Sequence, residues 1–551
     1  MPKPIHASFP WAEKSFAISS QGTESFQLAN LSMFYLTTAI DYTNGSPHIG
    51  HAYEKVLADV ITRYRRLTGE EVFFLTGVDQ HGQKVQQTAE KEGVSPAEYV
   101  KTVTSRFTAL WEKIGVEYDG WAETTDARHV ACVQSILSDL QAKDQIYKKS
   151  YKGFYSVRQE QFLTDRDRDE SGNFGPEWGE VTEIEEENYY FKLSDHTPWL
   201  REFLEKSDDT ILPSFRKLEL LNALDKNTGS DLCISRPKER LTWGIELPFD
   251  SDFVTYVWFD ALINYISFVG FTPDTTLPDF ANTWTGRPVH IIGKDILVPA
   301  HGIYWLAMLK AIGFSEANMP QLLVHGWWNR SGEKMSKSLG NIVDPSELAD
   351  TFGVDALRYY LVRDIHTGKD ANFDVDRLVM LFNTELANEL GNLCNRALNM
   401  SVRFAEGILT TGGELTQDDI ALQQSLTDCT ATYRKAMDNH EVSVALEALN
   451  RHVVHCNQYT DRMKPWELSK NLENKDRLAT VLLHLAESVA HCAVLLSPIL
   501  PDASKKLAEQ VKLPRLSDLK LDDLKWGLIP EGHEIEKPEP VFPRIDVKGL
   551  E

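Results

Sequence analysis

At 551 residues the chain is too long for a single hydrophobic core and should hold two or three domains. Its 42% hydrophobic and 25% charged content is that of a soluble globular protein, and no uninterrupted run of about 18 apolar residues predicts a transmembrane helix. The formal net charge of −24 excludes a general nucleic-acid coat and confines any nucleic-acid binding to a local, salt-sensitive basic track.

Residues 1–32 carry Lys3 and Lys14 but no Arg, together with Glu13 and Glu24. That is neither a transit peptide nor a secretory signal. It reads as a disordered extension, or as an over-long start with Met33 as the true one. Phe34 to Ile40 is rich in β-branched and aromatic residues and predicts a buried strand. After it Tyr53, Val56, Leu57, Val60, Ile61 and Tyr64 fall on one face of a helix. The intervening Tyr42-Thr43-Asn44-Gly45-Ser46-Pro47-His48-Ile49-Gly50-His51 is therefore a strand-loop-helix junction. Free backbone N–H groups and the positive helix end suit phosphate there. Pro47 fixes the turn, Gly50 permits close approach, and His48 and His51 can donate to phosphate oxygens.

A strand Val72–Leu75 leads into Thr76-Gly77-Val78-Asp79-Gln80-His81-Gly82, at the strand end where an open α/β sheet places ligands. Tyr256 to Tyr265 combines aromatics with helical spacing, and Pro288 to Ile292 is a strand ending in Gly293-Lys294-Asp295, after which His301 starts a helix. A further strand, Leu322–His325, precedes Lys334-Met335-Ser336-Lys337-Ser338 in a Gly/Ser-flanked loop. Two lysines there suit the β- and γ-phosphates of a nucleotide. Beyond about residue 380 the pattern is helical. Leu386, Leu390, Leu393, Ala397 and Met400 form an apolar stripe, backed by Asn388, Asn392, Asn395, Arg396 and Asn399. Amides and Arg can read base edges, and Trp466, after Pro465 ends a helix, can stack on a base. The six cysteines form no C-x-x-C and read as reduced, mostly buried thiols of a cytoplasmic protein.

The His48–His51 and Lys334–Ser338 motifs, in this order and separation, resemble the paired signatures of class I aminoacyl-tRNA synthetases, and the match along most of the chain narrows to the methionyl-tRNA synthetase family. The resemblance implies an α/β fold: a Rossmann-type parallel-sheet catalytic domain split by an insertion, followed by an α-helical anticodon-binding bundle. The expected division is an extension at 1–32, a first catalytic half at 33–120 and an insertion at 121–250. A second catalytic half at 251–325, a lysine-loop and stem-contact region at 326–380, an anticodon domain at 381–525 and a C-terminal segment packing on the body at 526–551 complete it. His48, His51, Lys334 and Lys337 are implied as catalytic. Gly50, Gly293 and Asp295 join them as the ATP site.

The resemblance places Ile40, Tyr42, Asp79, Arg236, Trp258, Ala261, Leu262, Tyr265 and His301 around methionine, with Asp79 on the ammonium. Asn392, Arg396 and Trp466 match anticodon-reading positions. The substrates implied are methionine, ATP with Mg²⁺, and initiator and elongator tRNA(Met). The sequence departs from the family in three places. Gln80 stands for a usual Glu, and Asp41 for the Pro that precedes Tyr42 in many members. Ser156, Gln159, Gly175 and Trp178 stand where a zinc knuckle has cysteines, so no structural zinc is expected. The acidic run Glu183–Glu187 reads as a solvated face. No membrane association and no C-terminal tRNA-binding module are expected. The alternatives are another class I synthetase of the same subgroup, or a catalytically silent tRNA-binding paralogue.

Overall fold

The computed structural model describes residues 33–546 except 157–160, 164–167, 170, 228–229, 274–277 and 336–340. Residues 1–32, Gln159 and Lys337, on which expectations were placed, lie outside the described residues. Seven strands build the main sheet: β1 Phe34–Thr38, β2 Asp41–Tyr42, β3 Val72–Asp79, β4 Gly120–Glu123, β5 Ile211–Leu212, β6 Val289–Gly293 and β7 Gln321–His325. Every pairing between them is parallel. The pairings run β3–β1–β6–β7–β5, and β2 continues on the β1 side of β3, since Val78 pairs with both Asp41 of β2 and Glu123 of β4. Leu75 of β3 pairs with both Thr37 of β1 and Gly120 of β4, so β4 flanks β3 on its far edge. From β1 the chain passes through helix α1, Ile49–Leu67, to β3 on one side, whereas β6 lies on the other. The crevice beyond the carboxyl ends of β1 and β6 is thus a topological switch point, where open α/β sheets bind ligands.

The boundaries drawn from the sequence need correction here. The division at 120/121 cuts through β4, and the 121–250 insertion contains β5, which pairs with Leu322 and Leu323 of β7. Strands of four and two residues are too short to show a period. The insertion proper is a four-stranded antiparallel sheet, dominated by Ile146–Ser156 paired with Val181–Phe191 over their whole length. The acidic run lies within the second of these strands. Glu187 there accepts an ion pair from Lys148 of the partner strand at 3.0 Å. At the tip, Ser156 Oγ donates to the Trp178 carbonyl oxygen, and the Arg168 guanidinium lies 4.7 and 4.2 Å from the rings of Phe154 and Phe174. Ser156, Gly175 and Trp178 supply no thiolate, and the donor set does not fit zinc.

α1 is buried on almost every side, including Glu54, Lys55 and Asp59. The region after β7 forms a hairpin, Trp328–Arg330 with Glu333–Lys334, through a turn in which Ser331 and Gly332 both have positive φ. Lys334 therefore sits on a strand rather than in a loop. The helical half comprises α3 Gly391–Ala405, α4 Gln417–Asp438, α5 Val442–Met463 and α6 Lys475–Leu496. The region of α6 is apolar enough by composition to span a membrane, yet 94% of its apolar window is buried inside the protein. A count of uninterrupted apolar residues overlooks this helix. Cys394, Cys429, Cys456 and Cys492 come one from each of these helices and are buried. Burial pushes the thiols of Cys394, Cys429 and Cys456 up to about 12, so they stay protonated.

The C-terminal segment packs back on this half. Asn383 exchanges two hydrogen bonds with the backbone of Ile545, both 2.9 Å. The buried Glu487 carboxylate accepts the backbone N–H groups of Gly527, Leu528 and Ile529 at 2.7 to 2.8 Å.

Candidate active site

A cavity of about 430 Å³ opens at the switch point. Its floor comes from the strand ends: Ala39 and Ile40 after β1, Asp41 and Tyr42 of β2, Asp79 of β3, Gly293 of β6 and His325 of β7. α1 contributes His48, Gly50, His51 and Glu54. Helix α2, Val257–Ser267, contributes Trp258, Ala261, Leu262, Asn264 and Tyr265.

The amino end of α1 is built differently from the expectation. The backbone N–H of Ile49 donates to Val343 O at 3.2 Å. Gly50 N–H donates to His48 Nδ1, and His48 N–H to His51 Nδ1, both 3.1 Å. These N–H groups are spent in a cap, because imidazole nitrogens act here as cap acceptors. The correction has a chemical consequence. With Nδ1 accepting in both rings, each neutral imidazole carries its hydrogen on Nε2. The two rings lie with their centroids 3.9 Å apart. Gly50 is required by close approach, since a Cβ there would lie 2.9 Å from His48 Cε1. Gly50→Ala should push the His48 ring aside and slow any chemistry that uses this ring about tenfold, because small misplacements of a reacting group already erode rate. Single-turnover kinetics with thermal melts checks this. An unchanged rate would show that the ring position is immaterial.

The lining supplied by Tyr265 and His301 is aromatic and neutral. Tyr265 OH lies 2.8 Å from His301 Nε2, and His301 Nδ1 lies 2.9 Å from Ile296 O. The carbonyl fixes the hydrogen on Nδ1, so Tyr265 donates to Nε2. Burial pushes His301 down to about 4, so it is uncharged at neutral pH. Behind it the Tyr265 ring stacks on His290 at 4.3 Å, and Tyr35 OH donates to the Tyr265 carbonyl at 2.8 Å. A rigid apolar pocket edged with aromatic rings suits a thioether. His301 sits within a π-helical turn, Leu297–Trp305, that continues as the α-helix Leu306–Ile312. The helix therefore begins before His301, not at it.

On the remaining wall Lys334 Nζ lies 3.0 Å from Asp295 Oδ2, and Trp327 Nε1 donates to Asp295 Oδ1 at 3.2 Å. Burial would raise Asp295, but Lys334 and Trp327 hold it below the ordinary carboxylate range. Lys294 and Lys334 lie 3.9 and 4.0 Å from the Trp327 ring centroid.

Ile40, Tyr42, Asp79, Trp258, Ala261, Leu262, Tyr265 and His301 all line this cavity, as do His48, Gly50, His51, Gly293, Asp295 and Lys334. Arg236 does not. It is buried behind the wall, donating to Ser235 O at 2.7 Å with its guanidinium 4.5 Å from the Tyr256 ring. Sequence reasoning missed Glu54, Asn264, His325 and Trp327 as lining residues. The signal was available for Glu54, one helical turn beyond His51 on the same face. In the helical half Arg396 and Trp466 come together, guanidinium to ring centroid 5.5 Å, and Arg396 also pairs with Asp461 at 2.8 Å. Asn392 is exposed one turn earlier on α3.

A parallel-sheet switch point with a histidine-capped helix, a lysine hairpin and a helical half is the arrangement of a class I tRNA synthetase. The family model described as tRNA synthetases class I (M) matches residues 34–171 and 178–398, and that for the anticodon binding domain of methionyl tRNA ligase matches 409–550. The chain belongs to the methionyl-tRNA synthetase family. It is 38% identical to the methionine–tRNA ligase of Fusobacterium nucleatum over 94% of this chain and 81% of that one. It is also 38% identical to that of Rhizobium meliloti, over 94% and 99%. The structure of Mycobacterium tuberculosis methionyl-tRNA synthetase in complex with methionyl-adenylate is similar at a TM-score of 0.86 and 35% identity, covering 93% of this chain and all of that one.

Proposed function

We infer that this protein activates methionine with ATP and transfers the methionyl group to the 3′ end of tRNA(Met), initiator and elongator alike. The observation carrying this reading is one cavity lined both by the neutral aromatic wall of Tyr265 and His301 and by the His48–His51 pair. In the first step a methionine carboxylate oxygen attacks the α-phosphorus in line. The bond to the bridging oxygen breaks and pyrophosphate leaves. No covalent enzyme intermediate is needed, and positioning and charge stabilisation supply the catalysis. His48 and His51 donate from Nε2 to the α-phosphate region. Lys334 and Lys337 clamp the pyrophosphate of an ATP that enters as its magnesium complex, which requires Lys334 to leave Asp295. Gly293 and Asp295 hold the adenosine. Asp79 takes the methionine ammonium, and Ile40, Tyr42, Trp258, Ala261, Leu262, Tyr265 and His301 enclose the side chain. Arg236 acts on that pocket only from behind. In the second step a hydroxyl of the terminal adenosine attacks the carbonyl carbon and AMP leaves. Reduced cysteines accord with a cytoplasmic setting. Pyrophosphate exchange with each amino acid in turn tests the reading, and exchange independent of methionine would refute it.

Asn392, Arg396 and Trp466 are the proposed anticodon readers. Trp466 is half-buried and Arg396 covers its ring. Losing one stacked base costs about 1–3 kcal/mol, so Trp466→Ala should lower tRNA charging roughly 10- to 200-fold while methionine-dependent exchange stays near wild type. A purely structural Trp would instead cost about 3–5 kcal/mol of stability and depress both activities together. Charging, exchange and melting measured on one preparation separate the two.

A further inference from the structure

Under the cavity lies a buried chain of charged groups that the reaction above does not use. Lys55 of α1 has no exposed side-chain surface. Its ammonium donates to Ala39 O at 3.0 Å, to Asp41 Oδ1 at 3.0 Å and to Glu54 Oε1 at 2.8 Å. Glu54 Oε2 meets His325 Nε2 at 3.0 Å, and His325 Nδ1 meets Gly326 O at 2.8 Å. The chain therefore runs from the carbonyl that precedes Ile40, through two adjacent residues of α1, to the residue that opens the segment leading to Lys334.

Each end belongs to a different substrate in the reading above. Ile40 is on the methionine wall, and the Gly326–Lys334 segment forms the nucleotide wall. A buried ammonium is expensive, and an apolar side chain of similar volume would serve stability as well or better. Burial would lower Lys55, but Asp41 and Glu54 outweigh it and keep the ammonium charged. Asp41 faces the cavity with Oδ2 buried and without a hydrogen-bond partner. Burial pushes its carboxyl up to about 7, against the pull of Lys55.

We propose that Lys55, acting through Glu54 and His325, is a positioning residue of the synthetase reaction: it fastens the Ala39–Ile40 connection and the Gly326–Lys334 segment to one turn of α1, so that both substrates are held at one separation. The proposal rests on the substrate walls assigned above. The attacking carboxylate must meet the α-phosphorus at a near-attack distance, and small errors there erode rate without eroding the affinity of either substrate alone.

The test is a variant that removes the ions together, Asp41→Asn/Glu54→Gln/Lys55→Met, so that no unpaired charge stays buried. Methionine and ATP affinities are measured separately by equilibrium dialysis, the rate of adenylate formation by single turnover at saturating substrates, and stability by melting. The expected result is each affinity within about threefold of wild type and a rate at least about thirtyfold lower. A rate within about threefold of wild type would overturn the proposal, as would loss of both affinities in parallel with the rate, which marks a merely architectural role. Glu54→Gln keeps the shape and the Lys55–Asp41 pair and covers the case of a triple variant that does not fold. It should slow the step about five- to tenfold at unchanged affinities, and a rate within about twofold refutes the proposal by itself. Wild-type exchange that ignores methionine would instead defeat the assignment of the walls, so the two failures are distinguishable.

Discussion

His51→Asn is expected to lower methionine-dependent pyrophosphate exchange by about 10²–10³-fold, the usual cost of about 2.7–4 kcal/mol for removing one preorganised donor from a developing oxyanion. The capping geometry makes the experiment specific. His51 Nδ1 accepts the His48 N–H, and in the proposed reaction its Nε2 carries the hydrogen that meets the phosphate. Asn places its side-chain oxygen near the Nδ1 position and can keep the cap while losing the donor. Gln reaches the Nε2 position with an N–H and can keep the donor while losing the cap. His51→Asn should therefore melt near wild type and be slow, whereas His51→Gln should retain much of the rate and lose about 1 kcal/mol of stability, a typical cap. Methionine affinity should be near wild type in both, because the proposed side-chain pocket is built by Tyr265, His301 and their neighbours and not by His51. If His51→Gln proved as slow as His51→Asn, Nε2 donation would not be the source of the effect.

Arg358→Ala is expected to cost about 3–5 kcal/mol of stability, the range for removing one member of a buried pair. Arg358 lies in the helix Val354–Arg363 and is almost completely buried. Its Nη2 lies 2.6 Å from Asp59 Oδ2 on α1, itself without exposed surface. Nε donates to Ile499 O at 2.8 Å, and Nη1 to Ile114 O at 3.1 Å. One guanidinium thus joins α1, the segment after α6 and the end of the helix Pro96–Lys113. The alanine variant leaves Asp59, among the described residues, with Arg63 at 2.9 Å as its charged partner, and it removes the guanidinium donor from the carbonyls of Ile499, Ile114, Pro498 and Gly115, of which Gly115 keeps Arg63. Urea unfolding reads the loss. An unchanged midpoint would sink the assignment, whereas exchange activity below the transition should be little altered.

The residues that line the cavity were legible because their signals are local. The strand Phe34–Thr38, the turn at Pro47 and the apolar face of α1 fall within one short stretch, and the aromatic α2 likewise carries its own period. Arg236 shows the limit of a matched motif: the residue type is right, but Tyr256 and Ser235 hold it away from the cavity. The buried pairing of Glu54 with Lys55 was illegible for a different reason, although the place of Glu54 on the His51 face was not. Adjacent opposite charges beside an apolar stripe look like a solvated helix edge, and only the arrival of Ala39, Asp41 and His325 from three strand ends makes that edge interior. The same holds at the head of α1. Histidine is not a usual cap, so the sequence pointed to open N–H groups that His48 and His51 in fact occupy. β5 is a two-residue pairing imposed by β7 and has no signature of its own.

The Glu487 carboxylate bears on how the chain is made. Its three partners, the N–H groups of Gly527, Leu528 and Ile529, are translated some forty positions after it. A ribosome that has just finished α6 has delivered an acid destined for the interior whose neighbour on that helix is the His491 ring, 3.6 Å away in the folded chain. Until the later segment emerges, the carboxylate lacks its three N–H donors. The strands of the catalytic sheet all precede α6 in the chain, whereas the helical half receives these partners after it. An apolar helix still short of its partners is the kind of surface that chaperones cover.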